Sequence, residues 1–138
     1  MEKLLKGKSV YIVDGEATRR DVKKGVKQYI VFFAGEWCGK CKDNLPVVKQ
    51  FYLDHVKGNP DVEFIMASTD EPKWLIKWGK QEKFEWPLLL RENLKDISFL
   101  SDLADMYAYY FVMYDAEGNK LDTVTLDDCL GVLKKGKK

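Results

Sequence analysis

Cysteine, histidine and proline are all scarce in this 138-residue chain, which has three, one and four of them respectively. Three cysteines are too few for a small scaffold stapled by several disulfides. With one histidine and three cysteines, a single chain also offers few ligands for a four-coordinate zinc site. With 23 basic against 22 acidic residues, the chain lacks the charge excess that would favour nucleic acid or an anionic membrane as a partner.

No apolar run in the chain approaches the roughly 20 residues that a helix needs to span a bilayer. The first ten residues, MEKLLKGKSV, also lack the continuous apolar core of a secretory signal. We therefore expect no membrane span and a cytoplasmic location for the chain as it stands. A periplasmic or exported location stays open if a leader has been removed.

Strand-like and helix-like segments alternate along the chain, without repeats or a Ser/Gly-rich linker. This alternation predicts an α/β sandwich, in one domain over residues 1–138 with a basic tail from about residue 134. The predicted elements are an edge strand at 10–13, buried strands at 29–34 and 62–68, a helix from Pro72 capped by Asp70, a short strand at 86–90, a helix at 99–107, a hairpin turning at 115–119 and a last short helix.

Two of the three cysteines, separated by two residues, lie in the stretch FFAGEWCGKCKDNLP, residues 32–46, directly after the most apolar strand. From Cys41 onward, apolar residues recur at helical spacing and place Cys41 on the stripe that faces the core; they are Cys41, Leu45, Val48, Tyr52 and Val56. Cys38 comes one turn earlier, at the mouth of the helix. The two cysteines therefore lie in the first turn of one helix. Cys38 is at its N-terminus, and Cys41 faces the core.

This placement suits disulfide exchange, in which a thiolate is the nucleophile. Unpaired N–H groups at a helix start favour a thiolate at Cys38. Cys41 can then attack the mixed disulfide and release the partner, which is the resolving role. The residues alone leave open three other readings: two ordinary packed cysteines, a metal site in which two chains pool their Cys-x-x-Cys pairs, and a redox-inert interaction domain.

The stretch FFAGEWCGKC, with Pro46 five residues after Cys41, resembles the active-site segment of thioredoxin-like proteins. The stretch VEFIMASTDEPKWLIKWGKQEKFEWPLLL and the closing DAEGNKL are similar to the tryparedoxin and nucleoredoxin group. The resemblance implies a thioredoxin fold, with a central mixed sheet flanked by helices on both faces. It also implies thiol–disulfide exchange with protein partners. An upstream reductant or oxidant would then return the cysteine pair to its starting state. We expect no cofactor, no metal and a monomer.

Two positions depart from that family pattern. The proline that faces the cysteines in the family, usually after a cis bond, falls here on Tyr109. We expect a trans bond there, a different docking groove and poor activity on generic disulfide substrates such as insulin. Pro87 is the other candidate for that proline, but the strand that enters the final hairpin is the one at Tyr109. The buried acid that many thioredoxins place six residues before the first cysteine is replaced by Phe32.

Several neighbours complete the candidate site. Trp37 is expected to shield Cys38 and to contact partners, or simply to pack. Lys40 can favour the Cys38 thiolate, although an exposed lysine is heavily screened. Glu36 can assist proton transfer or be an ordinary solvated carboxylate. Gly39 between the cysteines and Ala108 beside Tyr109 are counted as residues that shape the site.

Three further features have mainly structural interpretations. Pro46 lacks an N–H and is expected to kink the helix, which aims its first turn separately from the rest. His55, near the end of that helix, is favoured by the helix dipole rather than by a ligand or catalytic role. Cys129, far in sequence from the pair, is expected to be a passive, partly buried thiol.

Overall fold

The computed structural model describes residues 1–35, 37–106 and 108–135. The helices are α1 (Glu2–Leu5), α2 (Gly39–Asp43), α3 (Leu45–His55), α4 (Pro72–Glu82), α5 (Arg91–Leu94), α6 (Ser98–Met106) and α7 (Leu126–Lys135). The strands are β1 (Ser9–Val13), β2 (Glu16–Arg19), β3 (Gln28–Phe33), β4 (Val62–Ala67), β5 (Leu88–Leu89) and β6 (Tyr110–Asp115). No helix in this described part is long and apolar enough to cross a membrane.

The six strands form one mixed sheet in the order β2-β1-β5-β4-β3-β6. Strands β3, β4 and β5 run parallel, whereas β1 and β6 pair antiparallel to their neighbours β5 and β3. The predicted central strand is confirmed, since β3 lies between β4 and β6 and its last four residues are fully buried. Such an apolar run suits a strand that is covered on both faces.

Each face of the sheet carries its own apolar core. On one face, Phe32 and Phe64 pack with residues of α3, α4 and α7. On the other, Val31 and Ile65 pack with residues of α1, α5 and α6. Neighbouring strand residues point to opposite faces, so β3 and β4 contribute to both cores. The predicted mixed sheet with helices on both faces is therefore confirmed.

The predicted edge strand at residues 10–13 is not an edge. It belongs to β1, which lies between β5 and a strand that the sequence pattern did not predict, β2. The two join through Asp14 and Gly15, both with positive φ, 50° and 77°. Strand β2 reads EATR and is largely exposed, so it lacks the apolar alternation that marks a strand.

The predicted hairpin after residue 109 forms only one strand, β6. Beyond the turn, the returning segment makes a single bridge, from Lys120 to Tyr114. The Thr123 hydroxyl accepts from Met113 N–H at 2.9 Å and donates to Phe111 C=O at 3.0 Å. Backbone bonds flank this hydroxyl, from Leu121 N–H to Met113 C=O and from Phe111 N–H to Val124 C=O, so the segment covers the edge of β6 although it is not a regular strand.

The predicted cap of the helix after β4 is also wrong. Helix α4 begins at Pro72, as expected, but its N-cap residue is Glu71, which makes no capping bond with its side chain. The hydroxyl of Ser68 instead accepts the N–H of Asp70 at 3.1 Å, which places Asp70 in a turn before the helix. Proline at the first helical position needs no partner for an N–H, so the helix starts without the predicted cap.

Candidate active site

The cysteine pair follows the carboxyl end of β3. Ala34 still bonds to the neighbouring strand through its N–H, which donates to Ala67 C=O at 3.1 Å. The chain then turns, and the N–H of Cys38 donates to Gly35 C=O at 3.0 Å. Cys38 has extended φ and ψ, −88° and 99°, and is the N-cap residue of α2. This short turn places Cys38 at the helix start, as the sequence predicts.

The two cysteine sulfurs lie at disulfide-bonding distance, with their Cα atoms 5.3 Å apart. The N–H of Cys41 donates to Cys38 Sγ at 3.1 Å. Cys38 is 8% exposed and Cys41 is fully buried. A hydrogen bond to a sulfur favours its charged form, so this geometry favours a thiolate at Cys38 in the reduced protein.

The helix that carries the pair is divided. Asn44 ends α2, and both its backbone N–H and its side-chain amide donate to Lys40 C=O, at 3.1 and 2.8 Å. Pro46 therefore lies in the first turn of α3 and not in a helix interior. There its missing N–H removes no helical hydrogen bond. The predicted kink at Pro46 inside one helix is therefore wrong: the first turn is a separate helix, and Asn44 is the residue at the break.

Beneath the pair, the position of the usual buried acid holds an aromatic ring. Phe32 is fully buried and stacks on Phe111, with ring centroids 4.5 Å apart. Among the described residues, Glu63 is the one buried carboxylate. It lies opposite Tyr29 near the start of β4, at the other end of the sheet from the cysteines. Glu63 is therefore not placed to accept a proton from Cys41.

Tyr109 lies where the family pattern predicts the residue that faces the cysteines. The next residue, Tyr110, pairs with Phe33 at the end of β3, and the N–H of Tyr109 donates to Phe33 C=O at 2.8 Å. No peptide bond among the described residues is cis, so the bond before Tyr109 is trans. Pro87 precedes β5, which pairs with β1 and β4 and not with β3. Tyr109 is thus the residue beside the cysteine loop.

The backbone of Tyr109 adopts φ +55°, in the left-handed region. Its ring meets Phe32 and Phe111 edge to face, with centroids 6.0 and 5.2 Å apart. The exposed Lys40 places its Nζ 5.5 Å from the centroid of the same ring. Ala108, half-buried, packs against the core on this side. The structure therefore brings Lys40, Ala108 and Tyr109 to one side of the pair.

Trp37 is 65% exposed beside Cys38. Its indole lies against Gly35, where any Cβ would collide with the ring. A cleft of about 350 Å³ opens next to it, lined by Trp37, Lys42, Asp70, Glu71 and Trp74. The sequence analysis did not single out Gly35 as a site residue. The available signal was a glycine two residues before the tryptophan. Gly39 is exposed with open space around its Cα, and Glu36 lies outside the described residues.

A family model described as AhpC/TSA matches residues 6–98, well over half of the chain. The chain belongs to the AhpC/TSA family. The predicted thioredoxin-like, oxidoreductase character is confirmed by this membership together with the Cys-x-x-Cys pair at disulfide distance. Tyr109 and Cys129 lie beyond the matched segment.

Solved structures give the fold of this AhpC/TSA family member. Tryparedoxin I from Crithidia fasciculata is 20% identical, over 99% of this chain and 94% of that one, with TM-score 0.68. Thioredoxin from Wuchereria bancrofti is 18% identical, over 92% and 88%, with TM-score 0.72. Tryparedoxin I from Leishmania major is 16% identical, over 91% and 86%, with TM-score 0.66. A comparison with curated proteins gives no match. The predicted thioredoxin fold is confirmed.

The other candidate side chains lie away from the pair's surface. His55 is in the last turn of α3, as predicted, with its ring 5.0 Å from that of Phe51. Within the described residues, no three Cys, His, Asp or Glu side chains are grouped to hold a metal ion. Cys129 is fully buried rather than partly buried, and its Sγ lies 3.9 Å from Phe111 C=O.

Burial raises the pKa of Cys129 to about 12. A thiol below its pKa is mostly protonated and reacts slowly, so Cys129 should be silent near neutral pH. We expect the reduced, folded protein to release two equivalents of thiolate from a colorimetric disulfide reagent at pH 8, one when Cys38 attacks the reagent and one when Cys41 resolves the adduct. The third thiol should react only after unfolding in urea. Fast reaction of all three thiols in the folded protein would show that Cys129 is accessible.

Proposed function

We propose that this AhpC/TSA family member exchanges disulfides with protein partners, with Cys38 as the attacking thiol and Cys41 as the resolving one. The observation that supports these roles is the asymmetry of the pair. Cys38 keeps 8% of its surface exposed and its sulfur accepts the N–H of Cys41, whereas Cys41 is fully buried. A partner's sulfur can approach only the first of the two.

In the reducing direction, the Cys38 thiolate attacks one sulfur of a partner's disulfide and forms a mixed disulfide with it. The partner's other sulfur leaves as a thiolate and takes a proton from solvent. Cys41, as a thiolate, then attacks Cys38 Sγ, which releases the partner's second sulfur. The partner has gained two electrons, and Cys38 and Cys41 share the disulfide that it lost. The oxidising direction is the same sequence reversed.

The surroundings of Cys38 favour a protein as the partner. The exposed Trp37 and the adjoining cleft offer two indole rings, with charged side chains beside them, next to a cysteine residue that is only 8% exposed. An extended segment of a partner can lay its own sulfur against such a surface. Because both cores share β3 and β4, we propose a single domain over residues 1–138. Because one chain carries both cysteines, we propose that it acts as a monomer, without a cofactor. An upstream dithiol or oxidant resets the pair.

Alkylation of the two thiols tests the proposed roles. We expect iodoacetamide to modify Cys38 of the reduced protein at least about tenfold faster than Cys41 at pH 7, because the helix start and the Cys41 N–H favour a thiolate at Cys38 and because Cys41 is fully buried. Peptide mass spectrometry of samples quenched at short times reports each site separately. Faster modification of Cys41 would reverse the assignment, and equal, slow modification of both would remove the support for a reactive pair.

A further inference from the structure

Lys40, between the two cysteines, is exposed, but its charged end makes one specific contact. Its Nζ lies over the ring of Tyr109, 5.5 Å from the centroid. An ammonium over the face of an aromatic ring is attracted by the ring's negative face. A lysine that sampled many rotamers in water would place its charge beside the cysteines for only a fraction of the time.

Two aromatic rings pack against the Tyr109 ring, and a hydrogen bond holds the Tyr109 backbone. Phe32 and Phe111 meet the ring edge to face, and the backbone N–H of Tyr109 donates to Phe33 C=O. Phe33 ends the strand from which the cysteine loop departs. A contact between Lys40 and this ring therefore links the first turn of α2 to the strand ends below it.

We infer that Tyr109 is a positioning residue, whose ring holds the Lys40 ammonium beside the cysteine pair and so favours the Cys38 thiolate. This inference rests on the proposed function, in which Cys38 attacks. Tyr109 touches neither the partner nor the reacting sulfurs in this role. It acts through Lys40, because a fixed cation near a sulfur lowers the pKa of that thiol more than a mobile, screened one.

Other charged groups lie on the elements near the cysteine pair. Lys42 and Asp43 lie on α2 with Lys40, and Asp70 and Glu71 face Trp37 across the cleft. Asp127, in the first turn of α7, acts on Tyr109, and burial together with this charge raises the pKa of the phenol. Glu36 lies outside the described residues. The phenol therefore stays neutral where cysteine thiols titrate, and the charge over its ring is that of Lys40.

The test measures the pH dependence of Cys38 alkylation in the full-length reduced protein. We expect Tyr109→Leu and Lys40→Met each to raise the apparent pKa of Cys38 and to slow its alkylation at pH 6 by about threefold. The double variant should be no slower than either single one, because both remove the same interaction. Tyr109→Phe keeps the ring and should match the wild type.

Lys42→Met is the matched control, since Lys42 is a second exposed cation on α2 that lies in the cleft rather than over Tyr109. Whatever its effect, it should be the same with and without Tyr109→Leu. A wild-type pH profile in Tyr109→Leu, or an undiminished effect of that change in the Lys40→Met background, would overturn the inference. An ordinary, unshifted Cys38 pKa in the wild type would instead overturn the proposed roles of the pair.

A second measurement decides the matter if Tyr109→Leu does not fold. In the wild type, the methylene protons of Lys40 next to Nζ should show an upfield NMR shift from the ring current of Tyr109. The same protons of Lys42 serve as the reference. Equal, unshifted positions for the two lysines would overturn the inference without any variant.

Discussion

Replacing Cys41 with serine is expected to leave partner proteins attached to Cys38. Attack by Cys38 still forms the mixed disulfide, but no second sulfur is present to resolve it. Turnover of a disulfide substrate should fall by roughly 10³-fold or more, since the release step then depends on a thiol from solution. Non-reducing electrophoresis of the Cys41→Ser protein, incubated with a lysate and quenched with acid, should show adducts that reductant removes.

Two control variants make that result specific. Cys38→Ser keeps Cys41, whose side chain is fully buried, and should capture no partner. The double replacement of Cys38 and Cys41 keeps only Cys129 and should also capture none, because burial raises the pKa of Cys129 to about 12. Adducts recovered from Cys38→Ser but not from Cys41→Ser would mean that Cys41 attacks, contrary to the proposed roles.

Replacing Tyr109 with proline is expected to destabilise the protein strongly rather than to restore a family feature. Proline fixes φ near −65° and has no N–H, whereas Tyr109 has φ +55° and donates its N–H to Phe33 C=O at 2.8 Å. The lost hydrogen bond and the incompatible backbone should together lower the free energy of unfolding by about 3 kcal/mol or more. Urea unfolding followed by tryptophan fluorescence measures this loss.

Alanine and glycine at the same position separate the backbone from the side chain. Both variants remove the ring, so each is less stable than the wild type by a similar packing loss. Glycine tolerates positive φ, and we expect Tyr109→Gly to be more stable than Tyr109→Ala by about 1 kcal/mol. A proline variant as stable as the alanine variant would contradict the backbone seen at Tyr109. The expected weak activity on insulin stays a prediction, and these two variants test it better than proline does.

The parts of the site that the sequence could predict depend on strong local patterns. The apolar run of β3 indicates a strand buried on both faces, and the helical spacing after Cys41 turns that side chain to the core. Counting back along β6 from Asp115 then places Tyr109 correctly beside β3, because pairing with a buried strand leaves little freedom of register.

The features that could not be predicted from the sequence depend on contacts between distant segments. Strand β2 is polar and is held by its pairing with β1. The segment at Thr123 covers the edge of β6 with a hydroxyl and flanking backbone bonds instead of a regular strand. The positive φ of Tyr109 has no sequence signal at all, since tyrosine rarely adopts it. The contact of Lys40 with the Tyr109 ring joins residues 69 positions apart and appears only in three dimensions.

A redox titration of the Cys38–Cys41 pair tests the central claim most directly. The protein is equilibrated in a series of thiol–disulfide buffers, acid-quenched and labelled with a mass tag on each free thiol after unfolding. We expect one two-electron transition in which two tags are lost together, while the tag on Cys129 persists throughout. A number of tags that stays constant across the whole series would show that the pair does not cycle, and would contradict the assignment of a dithiol–disulfide oxidoreductase.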